Sequence, residues 1–312
     1  MEQLLGVVAP VFALIAMGWT AAQRVWIEPA GARGLTNFAY FAAMPALLFG
    51  SIAGAPPLHL VHVAGSFLVG AVALLLISVF VAQRLMGLKL APAAMFGLTG
   101  VYGNTVMMGV PVIQSAYGAA GVANLLAVVA FHSASLLPLA TVMIETGQGA
   151  RPGLAATLRS VGRGLFTNPV VLSVLAAMLW RAASLPVPAP LHALLHLLGG
   201  AAAPVSLFCL GAALPPPGML RGHLGANGLG LGAAVLTKLV VLPVVVGLIA
   251  HAAGVRGVAF STVVVASAMP TGANAFLLAR RMGTMAENTA AEVLLSTILS
   301  VVTLTALLSW LR

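Results

Sequence analysis

The sequence predicts an all-α membrane protein of ten transmembrane helices, arranged as two inverted five-helix repeats with helices four and nine broken where they cross. Three observations lead there. Of 312 residues, 61% are hydrophobic and only 6% charged, against about 25% charged in an average soluble domain, so the chain has too few polar groups to cover a water-facing surface. Apolar runs near the length of a membrane crossing, about 20 residues, follow one another along the whole chain. Prolines recur at a fixed offset between the two halves.

Taken in order, the expected spans are 4–22, 34–53, 60–82, 93–117, 121–145, 168–184, 191–213, 224–250, 257–280 and 286–311. The start, Met1-Glu2-Gln3-Leu4, lacks the basic region of a cleaved signal peptide, so the first run is expected to be retained. The longest polar stretch, Thr146 to Gly164, carries Arg151, Arg159 and Arg163 and links the fifth span to the sixth. It divides the chain into a first repeat (1–145), a cytoplasmic linker (146–166) and a second repeat (167–312). Cys209 is the single cysteine, which excludes an internal disulfide and any cysteine-based metal cluster.

The net charge of +9 is carried by basic residues set singly in short loops, a topology signal rather than a nucleic-acid surface. Connections after odd-numbered spans hold Arg24, Arg33, Arg84, Lys89, Arg151, Arg159, Arg163, Arg221, Arg280 and Arg281, and the opposite side holds Arg181, Arg256 and Arg312. Ten against three puts the first set in the cytoplasm of a multi-pass inner-membrane protein with both termini extracytoplasmic.

At an offset of 159 residues, Pro10 meets Pro169, Pro29 meets Pro188, Pro45 meets Pro204, Pro56 and Pro57 meet Pro215 and Pro216, and Pro111 meets Pro270. Six of the nine prolines before residue 153 find a partner, where about one would by chance, so the halves repeat. Five spans separate equivalent positions, and an odd number makes the second copy enter from the opposite face. Inverted repeats of this kind suit secondary transporters with a site near mid-membrane. Pro111 and Pro270 lie inside the fourth and ninth spans, among Gly103-Asn104-Thr105 and Met107-Met108-Gly109-Val110 on one side and Thr271-Gly272-Ala273-Asn274 on the other. Proline removes a backbone donor and clashes with the preceding turn, so each span is expected to break there. Such breaks in lipid are tolerated only where they line a cavity, and the half-helix beyond each break begins with free N–H groups suited to an anion.

Those stretches, with Asn168-Pro169 and Met269-Pro270-Thr271-Gly272-Ala273-Asn274-Ala275-Phe276, resemble the auxin efflux carrier family over essentially the whole chain. That family holds plant auxin exporters and bacterial carriers assigned malonate and other organic acids. It is similar in fold to the bile acid:sodium symporters, with a scaffold, a transport bundle and crossed broken helices four and nine. The resemblance implies a substrate site at the crossover, with Asn104 and the Pro111 and Pro270 backbones nearest a carboxylate, and a homodimer joined through the scaffold. The substrate-binding set expected is Asn104, Thr105, Gly109, Pro111, Pro270, Thr271, Gly272 and Asn274.

Three further polar residues lie within spans. Lys238, mid-way along the eighth, is too deep to snorkel and is expected to face the interior as an electrostatic contributor to anion binding or ion coupling, or as a structural lysine on backbone carbonyls. His132, mid-way along the fifth, is a proton carrier or a structural histidine. Glu292 shares a helix stripe with Ser296, Thr297 and Ser300 and either lines the path or bonds the neighbouring helix. No metal-ligand spacing and no Walker loop occur, so no cofactor is expected and ATP is not the direct energy source. The coupling ion stays open between Na⁺ and H⁺, since Asn104, Thr271 and Asn274 suit sodium as readily as a carboxylate.

The reading is therefore a secondary active carrier of a small organic anion, embedded in lipid, moving by elevator-like alternating access. Export of amino acids or aromatic acids is the alternative. An intramembrane enzyme is more distant, because no nucleophile–base pair or acidic dyad lies at depth; Ser133 beside His132 points to another helix face.

Overall fold

A computed structural model of the chain describes residues 2–53, 60–149, 162, 167, 169–214 and 228–311. Every regular element among them is helical, apart from one isolated antiparallel bridge. The helices are α1 (Glu2–Gln23), α2 (Pro29–Ala53), α3 (Leu60–Leu85), α4 (Leu90–Thr99), α5 (Val110–Gly147), α6 (Pro169–Ala182), α7 (Ala189–Ala213), α8 (Gly228–Ala252), α9 (Gly257–Ser267), α10 (Ala273–Met282) and α11 (Ala286–Trp310). Six helical stretches are long and apolar enough to cross a membrane, and the others include shorter apolar helices. Their outward faces carry Leu179, Leu197, Leu229 and Val302, each more than two-thirds exposed, a surface that suits lipid and makes this a multi-pass membrane protein.

Each expected span coincides with helix, with instructive differences. α2 starts at Pro29 rather than 34, because proline's fixed φ and missing donor cost nothing in the first helical turn. No loop separates the expected fourth and fifth spans: the chain turns at the single residue Gly118, whose φ of 61° and ψ of −155° break the helical path. The segments 93–117 and 257–280 are each interrupted, the first between Thr99 and Thr105 and the second between Ser267 and Ala273. Pro56, Pro57, Arg151, Arg159, Arg163, Asn168, Pro215, Pro216, Arg221, Arg312 and most of the 146–166 linker lie outside the described residues.

The structure corrects the pairing of Pro111 with Pro270. Pro270 sits in the break between α9 and α10, whereas Pro111 is the second residue of α5, well past the interruption in its own half. The proline offset holds for α2 and α7, whose 25-residue stretches begin 160 residues apart at Pro29 and Ala189. At the two interruptions the offset is longer: Thr99 and Ser267 end α4 and α9, 168 residues apart.

Pro111 has a different structural consequence. It follows a π turn, Thr105–Gly109, at the second residue of the next helix, and Pro45 and Pro243 stand in the same relation to the π turns Ala39–Ala43 and Thr237–Val241. A proline ring collides with the carbonyl four residues back and donates no hydrogen bond to it. Widening the preceding turn moves that carbonyl aside, so the helix continues instead of breaking.

Two packing groups emerge. α1 packs on α7, α7 on α2 and α2 on α6, and α3, α4, α5, α8 and α9 form the second group, with α10 and α11 beside them. The shortest helices are the most enclosed: residues 93–99 of α4 and 261–267 of α9 are all buried. In the first group, α1 and α7 touch backbone to backbone through glycines, since a Cβ on Gly18 would lie 1.9 Å from the Phe208 carbonyl oxygen and one on Gly211 the same distance from that of Ile15. Small residues permit this approach, which replaces hydrophobic driving force between helices in lipid. Gly18→Leu or Gly211→Leu is expected to cost about 3 kcal/mol or more by overpacking, read as a lower Tm in detergent. Gly34→Leu, where a Cβ meets nothing within 4 Å, should leave Tm close to wild type.

Candidate functional site

The two interruptions meet each other. Gly103, in the break after α4, forms the antiparallel bridge with Thr271, in the break after α9. The Asn104 N–H donates to the Pro270 carbonyl at 2.7 Å, and the Gly272 N–H donates to the Tyr102 carbonyl at 2.9 Å. Backbone groups released from helix thus satisfy one another far from water, where each would otherwise cost several kcal/mol.

The two N–H groups left over at the bridge are capped by side chains from the next long helix of each half. Gly103 donates to His132 Nε2 on α5 at 3.1 Å, and Thr271 donates to Ser296 Oγ on α11 at 3.0 Å. An imidazole nitrogen that accepts a backbone N–H carries no proton there, so His132 Nε2 acts as acceptor and the ring's proton belongs on Nδ1. The ring is fully buried, stacked on Tyr102 with centroids 4.2 Å apart and set edge-on to Phe67 at 5.5 Å. In this arrangement Nε2 of His132 is occupied by the Gly103 N–H.

Small residues at the bridge are a steric requirement. A Cβ on Gly103 would sit 3.2 Å from Lys238 Cε and Nζ, and one on Gly272 would sit 3.0 Å from Tyr102 and 3.1 Å from the Gly103 carbonyl oxygen. Lys238 itself has no exposed surface and lies in the π turn of α8. Its ammonium donates to the carbonyl of Ser267, the last residue of α9, where the helix end concentrates partial negative charge. On the Thr271 side, Glu292 of α11 is 4% exposed. The Thr271 hydroxyl lies 3.1 Å from the Thr99 carbonyl oxygen and 3.4 Å from Glu292 Oε1, and its single proton can serve only one of them at a time. Lys238 and Glu292 thus flank the bridge without forming a direct ion pair.

Asn104 is buried, and its Nδ2 has no hydrogen-bond partner among the described residues. It stands immediately before the helical stretch that begins at Thr105, and Gly272 stands before α10. Asn274, in the first turn of α10, is exposed, and its Nδ2 reaches the Tyr102 hydroxyl at 3.4 Å. Two helix N-termini therefore start at one point, with a spare amide donor and a buried ammonium within the same cluster.

Of the residues expected to bind substrate, Asn104, Pro270, Thr271 and Gly272 belong to the crossing itself, with Asn274 one step into α10. Thr105 is the buried first residue of its π turn, and Gly109 ends that turn against the Met269 side chain. Pro111 lies further along the helix and takes no part in the crossing. Lys238, His132 and Glu292, which looked independent in the sequence, converge on Gly103 and Thr271. Sequence reasoning missed Tyr102, Thr99 and Ser267. Tyr102 carried a signal, being one of three tyrosines and adjacent to Gly103-Asn104 inside an apolar span; Thr99 and Ser267 act partly through backbone carbonyls, which no side-chain pattern reveals.

Residues 4–308 match the family model described as membrane transport protein. A Rhizobium meliloti (strain 1021) protein named "Putative malonate transporter" is 30% identical over 319 residues, covering 100% of this chain and 97% of that protein.

Ser296→Ala removes the acceptor for the Thr271 N–H and is expected to cost about 1–3 kcal/mol, the usual penalty for a buried donor left without a partner. Thermal unfolding in detergent checks this, and Ser296→Thr, which keeps the hydroxyl, should recover most of the loss.

Proposed function

Because the chain belongs to the membrane transport protein family, that of the auxin efflux carriers, we propose that it is a secondary active transporter carrying a small organic anion, a carboxylate of the malonate kind, across the cell inner membrane. The observation that carries this reading is the crossing at Gly103 and Thr271, where two half-helix N-termini, the unpartnered Asn104 amide and the Lys238 ammonium share one buried place. A carboxylate there accepts from Asn104 Nδ2 and from the free N–H groups that open the two half-helices, and Lys238 supplies a charge of opposite sign. In so apolar a body each of these is stronger than it would be in water. The relative's name adds malonate as the substrate to test first.

The architecture proposed with it is ten membrane passes in two inverted five-helix repeats, 1–145 and 167–312, joined by a cytoplasmic linker at 146–166. The charge asymmetry of the connections supports both termini being extracytoplasmic. α1, α2, α6 and α7 serve as a scaffold, through which two copies pair, and the second packing group serves as the moving bundle. Because the crossing lies inside that second group, the bundle carries substrate with it as it shifts against the scaffold.

Malonate is expected to raise the Tm of the purified protein and to be taken up by liposomes containing it. Asn104→Ala and Lys238→Ala should each weaken malonate binding about tenfold or more, the cost of one hydrogen bond to a charged group. Wild-type affinity in both variants would move the site away from the crossing. Stabilisation by amino acids or aromatic acids instead of malonate would replace the substrate class and leave the site standing. Met107→Cys and Ala273→Cys, made in a Cys209→Ala background, should change thiol labelling together when malonate saturates, and unchanged labelling would count against a moving bundle.

A further inference from the structure

The chain has only five acidic residues, and all are glutamates. Glu2, Glu28, Glu145 and Glu287 lie at or near helix ends, whereas Glu292 is buried directly behind the bridge. It is also one of the few polar groups lining a cavity of about 310 Å³, the other side chains including Met86, Leu88, Phe96, Leu231 and Asn288. Met86 and Leu88 belong to the connection between α3 and α4, Met285 to that between α10 and α11, and Gly228 is the first described residue of α8. The cavity therefore reaches from the end of the molecule that carries Arg84, Lys89, Arg280 and Arg281 inward to Glu292. Asn104, proposed above to hold the anion, does not line it, nor does Asn274.

We propose that Glu292 is a proton-binding site with its own aqueous route through this cavity, separate from the path of the anion, and that the proton it takes up strengthens anion binding at the crossing. The inference rests on the transporter reading given above. Among the described residues, Lys238 of α8 is the charged group that faces Glu292. α4 presents Thr99 and the break before α10 presents Thr271, while Arg280 and Arg281 of α10 and Glu287 of α11 itself are exposed. A proton fits better than a metal cation. Only Glu292 and Asn288 among the lining side chains carry oxygen ligands, and a metal ion would stand close to Lys238.

The step is a simple exchange. Hydronium in the cavity gives its proton to a carboxylate oxygen of Glu292, leaving water and a neutral acid, and the reverse returns the proton. While Glu292 is ionised, its negative charge offsets the field of Lys238 at the bridge. Once it is neutral, Lys238 acts on the anion uncompensated, so proton and anion assist each other's binding by the same factor. Thr271, with its hydroxyl between Glu292 and the Thr99 carbonyl, connects the acid to the bridge.

Two measurements on the full chain in liposomes test this. Dicyclohexylcarbodiimide, which modifies protonated carboxyl groups, is expected to label Glu292 at acid pH and not at alkaline pH, as read by peptide mass spectrometry. Gly228→Trp, at a cavity residue whose Cβ meets nothing within 4 Å, should slow the labelling. An unlabelled Glu292 at every pH, or a rate unchanged by Gly228→Trp, overturns the proposed route. In the second measurement, Glu292→Gln should keep malonate counterflow while losing accumulation driven by a pH gradient, and its malonate affinity should no longer rise as pH falls. Gradient-driven accumulation equal to wild type overturns the coupling. If neither protein moves malonate or related carboxylates, the transport reading fails, and the labelling result still decides whether Glu292 is a solvent-connected proton site.

Discussion

Everything at the centre of this protein depends on where two interrupted helices send their backbone hydrogen bonds. A helix that stops inside an apolar body releases N–H and C=O groups that neither lipid nor aliphatic side chains can satisfy. Here two such stops face each other, and Asn104, Pro270, Gly272 and Tyr102 exchange the released groups across a bridge one residue pair wide. His132 and Ser296 take the remaining N–H groups from outside the pair. Neither break would be tolerable alone, so the two halves of the chain are coupled at their most buried point.

That coupling explains why so many polar residues gather there. Glycine at 103 and 272 lets the strands approach, and the approach leaves room for only a slender side chain, which is how Lys238 threads past Gly103 to the end of α9. An ammonium in such a place needs oxygen ligands and compensating charge. The α9 C-terminus supplies the first, and Glu292 is the acidic side chain beyond the bridge. The bridge itself holds the two side chains apart.

The prolines show how one residue type serves opposite ends. At 270, proline lies within a break; at 45, 111 and 243 it follows a π turn that absorbs its ring and preserves the helix. Sequence alone does not distinguish these outcomes, because both begin with the same missing donor and the same clash. What differs is the neighbour: the chain at Pro270 has Tyr102–Asn104 beside it to accept and donate hydrogen bonds, while Pro111 lies within a helix that continues past it.

Composition, apolar run lengths and single basic residues were enough to make this an all-helical, multi-pass membrane chain, because the requirement to satisfy backbone groups within lipid leaves few other solutions. The motifs Gly103-Asn104-Thr105 and Pro270-Thr271-Gly272-Ala273-Asn274 identified the family and most of the crossing, since glycine, proline and asparagine mark helix ends by local chemistry. The register between halves, the true position of the first break, and the meeting of His132, Lys238 and Glu292 at one bridge belong to the tertiary structure. The register shows only where the two breaks pair, Gly103 with Thr271, and the convergence depends on packing between helices far apart in sequence. Side-chain partners such as the Ser267 and Thr99 carbonyls are backbone atoms that every residue possesses, and only the folded arrangement decides which of them face a charge.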